Sequence, residues 1–405
     1  VKSPDIAPRP ARRARRHGLA VVAALVGGAM TLTACGGDAK GEGKGDDKPA
    51  KASAPDITVS VKDGAVNASI NGTRVTVANG TLTDVTLTAA QGGKKVEGTL
   101  SADKKSWTPG DRLERGTQYR LVANAQDAEG HKATENAAFT TVTTANSFIG
   151  TYTPDDGSTV GVGMPVSFTF DKPITDRAKV KSRITVSSSS GQQVVGHWFG
   201  NQRLDFRPQD YWKAGSKVTM KIDLDGVEAS KGVYGVQKKN VTFTIGRSQV
   251  STVDVTTQTM TVVRDGRTIK SLPVSTGSAQ HPTYNGQMVI SEKFEQTRMN
   301  GSTVGFGGEY DIADVPHAMR LSTSGTFIHG NYWYGDPSIF GRTGTSHGCV
   351  GLRDQRGGGG DTPGKWLFEK SMIGDVVVVK GSPDKTIAPD NGLNGWNMSW
   401  SEWQK

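Results

Sequence analysis

Two stretches, Ile328-His329-Gly330-Asn331-Tyr332-Trp333 and Ser346-His347-Gly348-Cys349-Val350-Gly351, carry two histidines and a cysteine. Sixteen residues separate His329 from Ser346. A thiol at a backbone turn with an imidazole at hand is a nucleophile arrangement, because the thiolate attacks and a nearby histidine takes its proton and lowers its pKa. The apolar run Gly325-Thr326-Phe327-Ile328 ahead of the first histidine reads as a strand. Together the two stretches imply a cysteine acyltransferase. A buried structural turn would account for His-Gly-Cys alone, without the added His329. Zinc ligation by His329, His347 and Cys349 is disfavoured, since no Cys-x-x-Cys or His-Glu-x-x-His accompanies them.

The surrounding segment, residues 247–380, reads as a β domain. Val253-Asp254-Val255-Thr256, Thr259-Met260-Thr261-Val262-Val263 and Ile269 to Val274 alternate or run apolar, with a turn at Asp265-Gly266 between the last two. One short helix is signalled by Asp361/Thr362 as cap candidates, Pro363 in the first turn and Lys365-Trp366-Leu367-Phe368 as its body. Gly374 follows, and Val376 to Val379 reads as a buried strand. Residues 381–405 form a tail with Trp396, Trp400 and Trp403, expected to pack back on this domain.

Upstream, residues 56–145 alternate over short segments such as Ile57 to Val61, Arg74 to Val77 and Tyr119 to Val122, separated by Asp63-Gly64, Asn71-Gly72, Asn79-Gly80 and Gly92-Gly93. This suits an Ig-like β-sandwich. Residues 146–246 repeat it faintly. Trp107-Thr108-Pro109 then Gly116-Thr117 has its counterpart in Phe206-Arg207-Pro208 then Gly215-Ser216, and each copy ends in a Phe-Thr strand, at Phe139 and Phe243. The fold class is therefore mainly β: two Ig-like β-sandwich modules, then a β-rich catalytic domain with one short helix and a Trp-rich C-terminal tail.

Residues 1–34 read as an export signal, with Arg9, Arg12, Arg13, Arg15 and Arg16 before an apolar stretch of about fourteen residues, too short for a membrane span of about 20. Residues 35–55, rich in Gly, Lys, Asp and Pro, read as a flexible tether. Leu32-Thr33-Ala34-Cys35 resembles the lipobox of bacterial lipoproteins, which implies cleavage before Cys35, lipidation of its sulfur and retention on the outer face of the cytoplasmic membrane. A secreted protein with an incidental Cys35 is the other reading. With Cys35 lipidated and Cys349 catalytic, no disulfide remains.

Residues 250–380 resemble the catalytic domain of the L,D-transpeptidases (the YkuD-type fold), whose signature is a histidine, a gap of about 14 to 17 residues, then Ser/Thr-His-Gly-Cys. Ser275-Thr276-Gly277, Thr283, Gly286 and Trp333 agree with it in order. The resemblance implies that Cys349, activated by His329, attacks the carbonyl before the D-Ala of a peptidoglycan tetrapeptide stem. D-Ala leaves, and the side-chain amine of a diamino acid on a second stem resolves the thioester as a 3→3 cross-link. By the same resemblance the Gly330 carbonyl orients His329, Tyr310 is a lid residue, and Trp333 is a wall of the donor site. The backbone N–H groups of Gly348 and Cys349 are oxyanion-hole candidates, each such donor being worth about 3 kcal/mol. His347 either holds the site together or contacts substrate, and Ser346 joins the substrate-contacting set. Where the family carries Arg or Asn after Cys-Val, this chain has Gly351, and Arg353 is expected to reach the same place. The glycine run at Arg356 to Gly360 is a departure near the site. Carbapenems are expected to acylate Cys349, and no cofactor or metal is implied.

Net charge is +9; residues 1–34 hold six Lys/Arg against Asp5, a surplus of five, so the remainder carries about +4. That surplus lacks the concentrated basic stripe of a nucleic-acid binder. His131, His197, His281 and His317 read as surface or loop residues. Two alternatives stand beside the transpeptidase: an L,D-carboxypeptidase resolving the same thioester with water, and a non-catalytic wall-binding lipoprotein.

Overall fold

The computed structural model describes residues 54–405; the export signal, Cys35 and most of the tether lie outside the described residues. The first module pairs a four-stranded sheet, ordered Asp56–Val59, Val75–Ala78, Ser106–Pro109, Gly98–Leu100, with a five-stranded one in which Ala65–Ala68 runs parallel to Lys132–Thr141. The second module repeats the plan: Gly150–Thr153, Val166–Phe170, Arg203–Pro208 and Val194–Phe199 form one sheet, and in the other Thr159–Val160 runs parallel to Lys238–Ile245. The faint sequence repeat is thus a repeat of topology. Trp107 and Phe206 occupy the corresponding third strands, both buried, and in each module a glycine on the neighbouring strand, Gly98 or Gly196, lies so close under the ring that a Cβ would overlap it.

The C-terminal domain, residues 247–380, has two sheets. The five-stranded one runs Arg267–Pro273, Thr259–Arg264, Gln249–Asp254, Val376–Lys380, Gly286–Val289, with its central pair parallel. Asp265 and Gly266, both at positive φ, make the two-residue turn expected there. The four-stranded sheet runs Glu292–Asn300, Asp311–Arg320, Phe327–Asn331, Val350–Arg353. The helix Pro363–Lys370 is capped by the Thr362 hydroxyl, which accepts from the Lys365 N–H at 3.2 Å. It buries Leu367 and Phe368 in one cluster with Ile328, Val350 and Leu352, behind the strands that carry the two motifs.

The tail reaches further than the sequence suggested. Asn397 accepts from the Gln287 N–H and donates to the Gln287 carbonyl, both at 2.8 Å, covering the edge strand of the five-stranded sheet. Its tryptophans instead serve the second module: Trp396 donates to the Gly163 carbonyl at 2.7 Å and Trp403 to the Val195 carbonyl at 2.9 Å. The physical reason is Arg207, whose buried guanidinium lies 4.8, 5.5 and 4.3 Å from the rings of Trp396, Trp400 and Trp403. An indole face is the partner that suits a desolvated cation. Val289 and Val376 join the buried cluster of the second module, so the two domains share one core.

Candidate active site

The sixteen-residue gap between the motifs is a crossover. Phe327–Asn331 and Val350–Arg353 lie side by side and parallel, with Ile328 opposite Val350 and His329 opposite Gly351. Parallel neighbours cannot be joined by a tight turn and need a connection of a dozen or more residues. Side chains alternate along a strand, so Ile328 and Val350 enter the core while His329 and Cys349 share the opposite side.

The turn before Cys349 is laced by Ser346, whose hydroxyl donates to the Cys349 carbonyl at 2.6 Å and accepts from the Gly348 N–H at 3.2 Å. Gly348 has φ +105°, which L side chains rarely adopt. The flanking Ser275-Thr276-Gly277 fixes this turn from outside: the Thr276 carbonyl accepts from Ser346 N–H at 3.1 Å, and Ser275 exchanges both backbone bonds with Gly351. Gly277 N–H in turn donates to the Thr283 hydroxyl at 2.9 Å.

The Cys349 thiol is buried and donates to the Gly325 carbonyl at 3.5 Å. Burial pushes it up to about 11, so it rests protonated. His329 is buried with Nδ1 2.9 Å from the Gly330 carbonyl. A carbonyl only accepts, so Nδ1 carries the proton and Nε2 keeps the lone pair. Burial also holds the imidazolium below the usual histidine range, so the ring rests neutral. Thiol and imidazole share no hydrogen bond but line one cavity of about 270 Å³ with Asn331, Trp333, Tyr310 and His347. Trp333 stacks on His329, centroids 5.5 Å apart at 18°. Tyr310 closes the loop Gly301–Tyr310, its carbonyl accepting from Gly301 N–H at 2.9 Å, and burial, then the charges of Cys349 and Glu309, push its phenol up to about 12.

Arg353 does not join them. It stands exposed at the far end of its strand and does not line the cavity, while Gly351 is committed to the backbone bridge with Ser275. The glycine run forms a turn at Arg356–Gly358 that packs behind the site: Gly358 lies against His317, and Arg356 donates to Asp314 at 2.7 Å.

Five residues were not foreseen in the site. His317, expected at the surface or in a loop, is buried on Asp311–Arg320, where Nδ1 lies 2.7 Å from Asp354. The second half of that strand is buried on both faces, so the alternation that marks a half-exposed strand is missing. Asp354 also accepts from Thr362 at 2.8 Å and lies directly under Gly330, where a Cβ would overlap its carboxylate. Asn331, beside His329–Gly330, has a buried side-chain oxygen with no partner and lines the cavity. Glu309 accepts from His347 Nε2 at 2.8 Å, and His281 stacks on His347 at 4.7 Å. His197, also expected at the surface, is half-buried and stacks on Trp403 at 5.0 Å, whereas His131 is exposed beside Asp127.

Residues 63–228 match a family model described as a bacterial Ig domain, and residues 248–379 match one described as the L,D-transpeptidase catalytic domain. The chain is 31% identical over 354 residues to L,D-transpeptidase 2 of Mycobacterium tuberculosis, covering 86% of this chain and 84% of that one. It is 29% identical over 361 residues to L,D-transpeptidase 5 of the same species, covering 86% and 76%. A solved LD transpeptidase in complex with imipenem aligns at 25% identity and TM-score 0.48, covering 57% of this chain and 97% of that chain.

Proposed function

Because the chain belongs to the L,D-transpeptidase family, we propose that it forms 3→3 peptidoglycan cross-links through a thioester on Cys349. The observation that carries this reading is the neutral base with its free Nε2 and the buried, protonated thiol on the wall of one cavity. The thiol proton passes to His329 Nε2 as sulfur attacks the carbonyl between the third residue of the stem and D-Ala. The oxyanion draws on the backbone N–H of Cys349 and on that of Gly348, which exchanges its long 3.2 Å bond to the Ser346 hydroxyl for the oxyanion. The C–N bond breaks, D-Ala leaves with the proton held by His329, and the acyl group stays on sulfur. The side-chain amine of a diamino acid on a second stem then attacks the thioester, surrendering a proton to His329, and the thiol is restored.

The unpartnered Asn331 oxygen suits an amide N–H of the bound stem, and Trp333 and Tyr310 line the same cavity. Carbapenems present a strained amide carbonyl to the same thiol and are expected to acylate it. An anchored position outside the cytoplasmic membrane, through Cys35, completes the proposal and places the enzyme at its substrate.

The test incubates the purified protein with a disaccharide-tetrapeptide and resolves products by mass, with Cys349→Ala alongside. A dimer formed with loss of D-Ala, absent from the variant, is the expected result. Tripeptide alone would make the enzyme a carboxypeptidase, and no Cys-dependent product would sink the catalytic reading in favour of a wall-binding protein.

A further inference from the structure

Outside the groups used by the proposed chemistry, three metal-ligating side chains from separate segments converge at the cavity mouth. His281 comes from the loop after Ser275-Thr276-Gly277, Glu309 from the Gly301–Tyr310 loop, and His347 from the motif beside the nucleophile. Glu309 Oε2 lies 2.8 Å from His347 Nε2 and 3.5 Å from His281 Nε2, and the three ligand atoms all lie within 4.8 Å of one another. Ligand atoms held about 2.0 to 2.2 Å from a tetrahedral ion stand roughly 3.3 to 3.6 Å apart, so the 3.5 Å pair already fits and the 2.8 Å pair has only to open slightly.

The two imidazoles lie nearly parallel, 4.7 Å apart at 18°. A single divalent ion engages both Nε2 lone pairs and the carboxylate at once. Phe306 packs edge-on against both rings, 5.1 Å from His281 and 5.3 Å from His347. Two histidines and a glutamate are a zinc-type donor set that leaves a fourth position open. We infer that His281, Glu309 and His347 form a binding site for a divalent transition-metal ion of the zinc type at the mouth of the Cys349 cavity. Such an ion ties the loop that carries Tyr310 to the turn that carries the thiol, without drawing on His329 or Cys349.

The test titrates zinc chloride into the untagged full chain carrying Cys349→Ser, which removes direct thiol binding, and follows the heat. Cobalt(II) absorption in the same protein reports coordination geometry. One ion per chain is expected, with visible cobalt bands of a four-coordinate site, and His281→Asn and Glu309→Gln should each weaken binding at least tenfold. Unfolding midpoints matching the parent show that both variants remain folded. Should either midpoint collapse, the Glu309→Asp variant, which keeps a carboxylate, replaces it and should retain the ion. No heat in the parent, or an affinity unchanged by His281→Asn in a folded protein, overturns the site.

Discussion

Gly330 answers to two neighbours at once. Its carbonyl fixes the His329 tautomer, and its missing Cβ is where the Asp354 carboxylate sits, itself held by His317 and Thr362. Gly330→Ala is therefore expected to cost about 1 to 3 kcal/mol in urea unfolding and to lower kcat more than it raises KM, because the displaced carbonyl no longer aims the base. Asn331→Ala should do the reverse, raising KM roughly fivefold to tenfold with kcat little changed, since a single hydrogen bond to substrate is worth about 1 kcal/mol. The pH dependence of Cys349 acylation by a carbapenem follows from the two shifts. With His329 held below the usual value of about 6.5 and the thiol pushed up to about 11, the rate should rise as pH climbs through the depressed histidine pKa and then stay level through pH 9. A tenfold rise per unit continuing to pH 10 would mean that the thiol ionises without its base.

Among the elements, the helix Pro363–Lys370 shows what a sequence can disclose about itself. Thr362 and Pro363 are local signals of a helix start, and the helix begins there. The cap also has a distant role that no local signal conveys, because the Thr362 hydroxyl reaches Asp354 beneath the histidine strand. Thr362→Ala is expected to cost about 1 to 2 kcal/mol by unfolding and to slow acylation, which a cap serving only the helix would leave untouched. The same division runs through the whole site. His329, Cys349, Trp333 and Tyr310 are legible because they sit in or at fixed distances from a motif, and the gap between the two motifs has a physical cause in the parallel crossover. Asp354, His317, Asn331, Glu309 and His281 carry no such spacing. They arrive by tertiary packing, and a strand buried on both faces hides its histidine from any reading of alternation. Arg353 failed for a related reason, since proximity in sequence along a strand carries a side chain away from the cavity.

At the scale of the whole molecule, the second module and the catalytic domain are one body at their junction. Gly161 and Gly163 donate to the carbonyls of Ile373 and Gly374 at 2.8 Å, and a Cβ on Gly161 would overlap that backbone. The first module meets the second through Val236, which joins the first module's buried cluster with Tyr234 against it, and through polar contacts, Ser69 and Asn71 on Asp225 and Asn146 on Asn67. The tail seals the shared core, so Trp403→Ala is expected to lower stability by about 3 to 5 kcal/mol, read as a lower urea midpoint for both domains together; separate transitions would contradict a common core. The tryptophan cage around Arg207 has an optical corollary. Three of the eight indoles in the chain crowd one guanidinium, and the innermost also stacks on the His197 imidazole. Unseating the tail would carry these chromophores from a dry, cationic niche into water, shifting emission to the red, so the protein holds a built-in fluorescence gauge of whether its two halves remain joined.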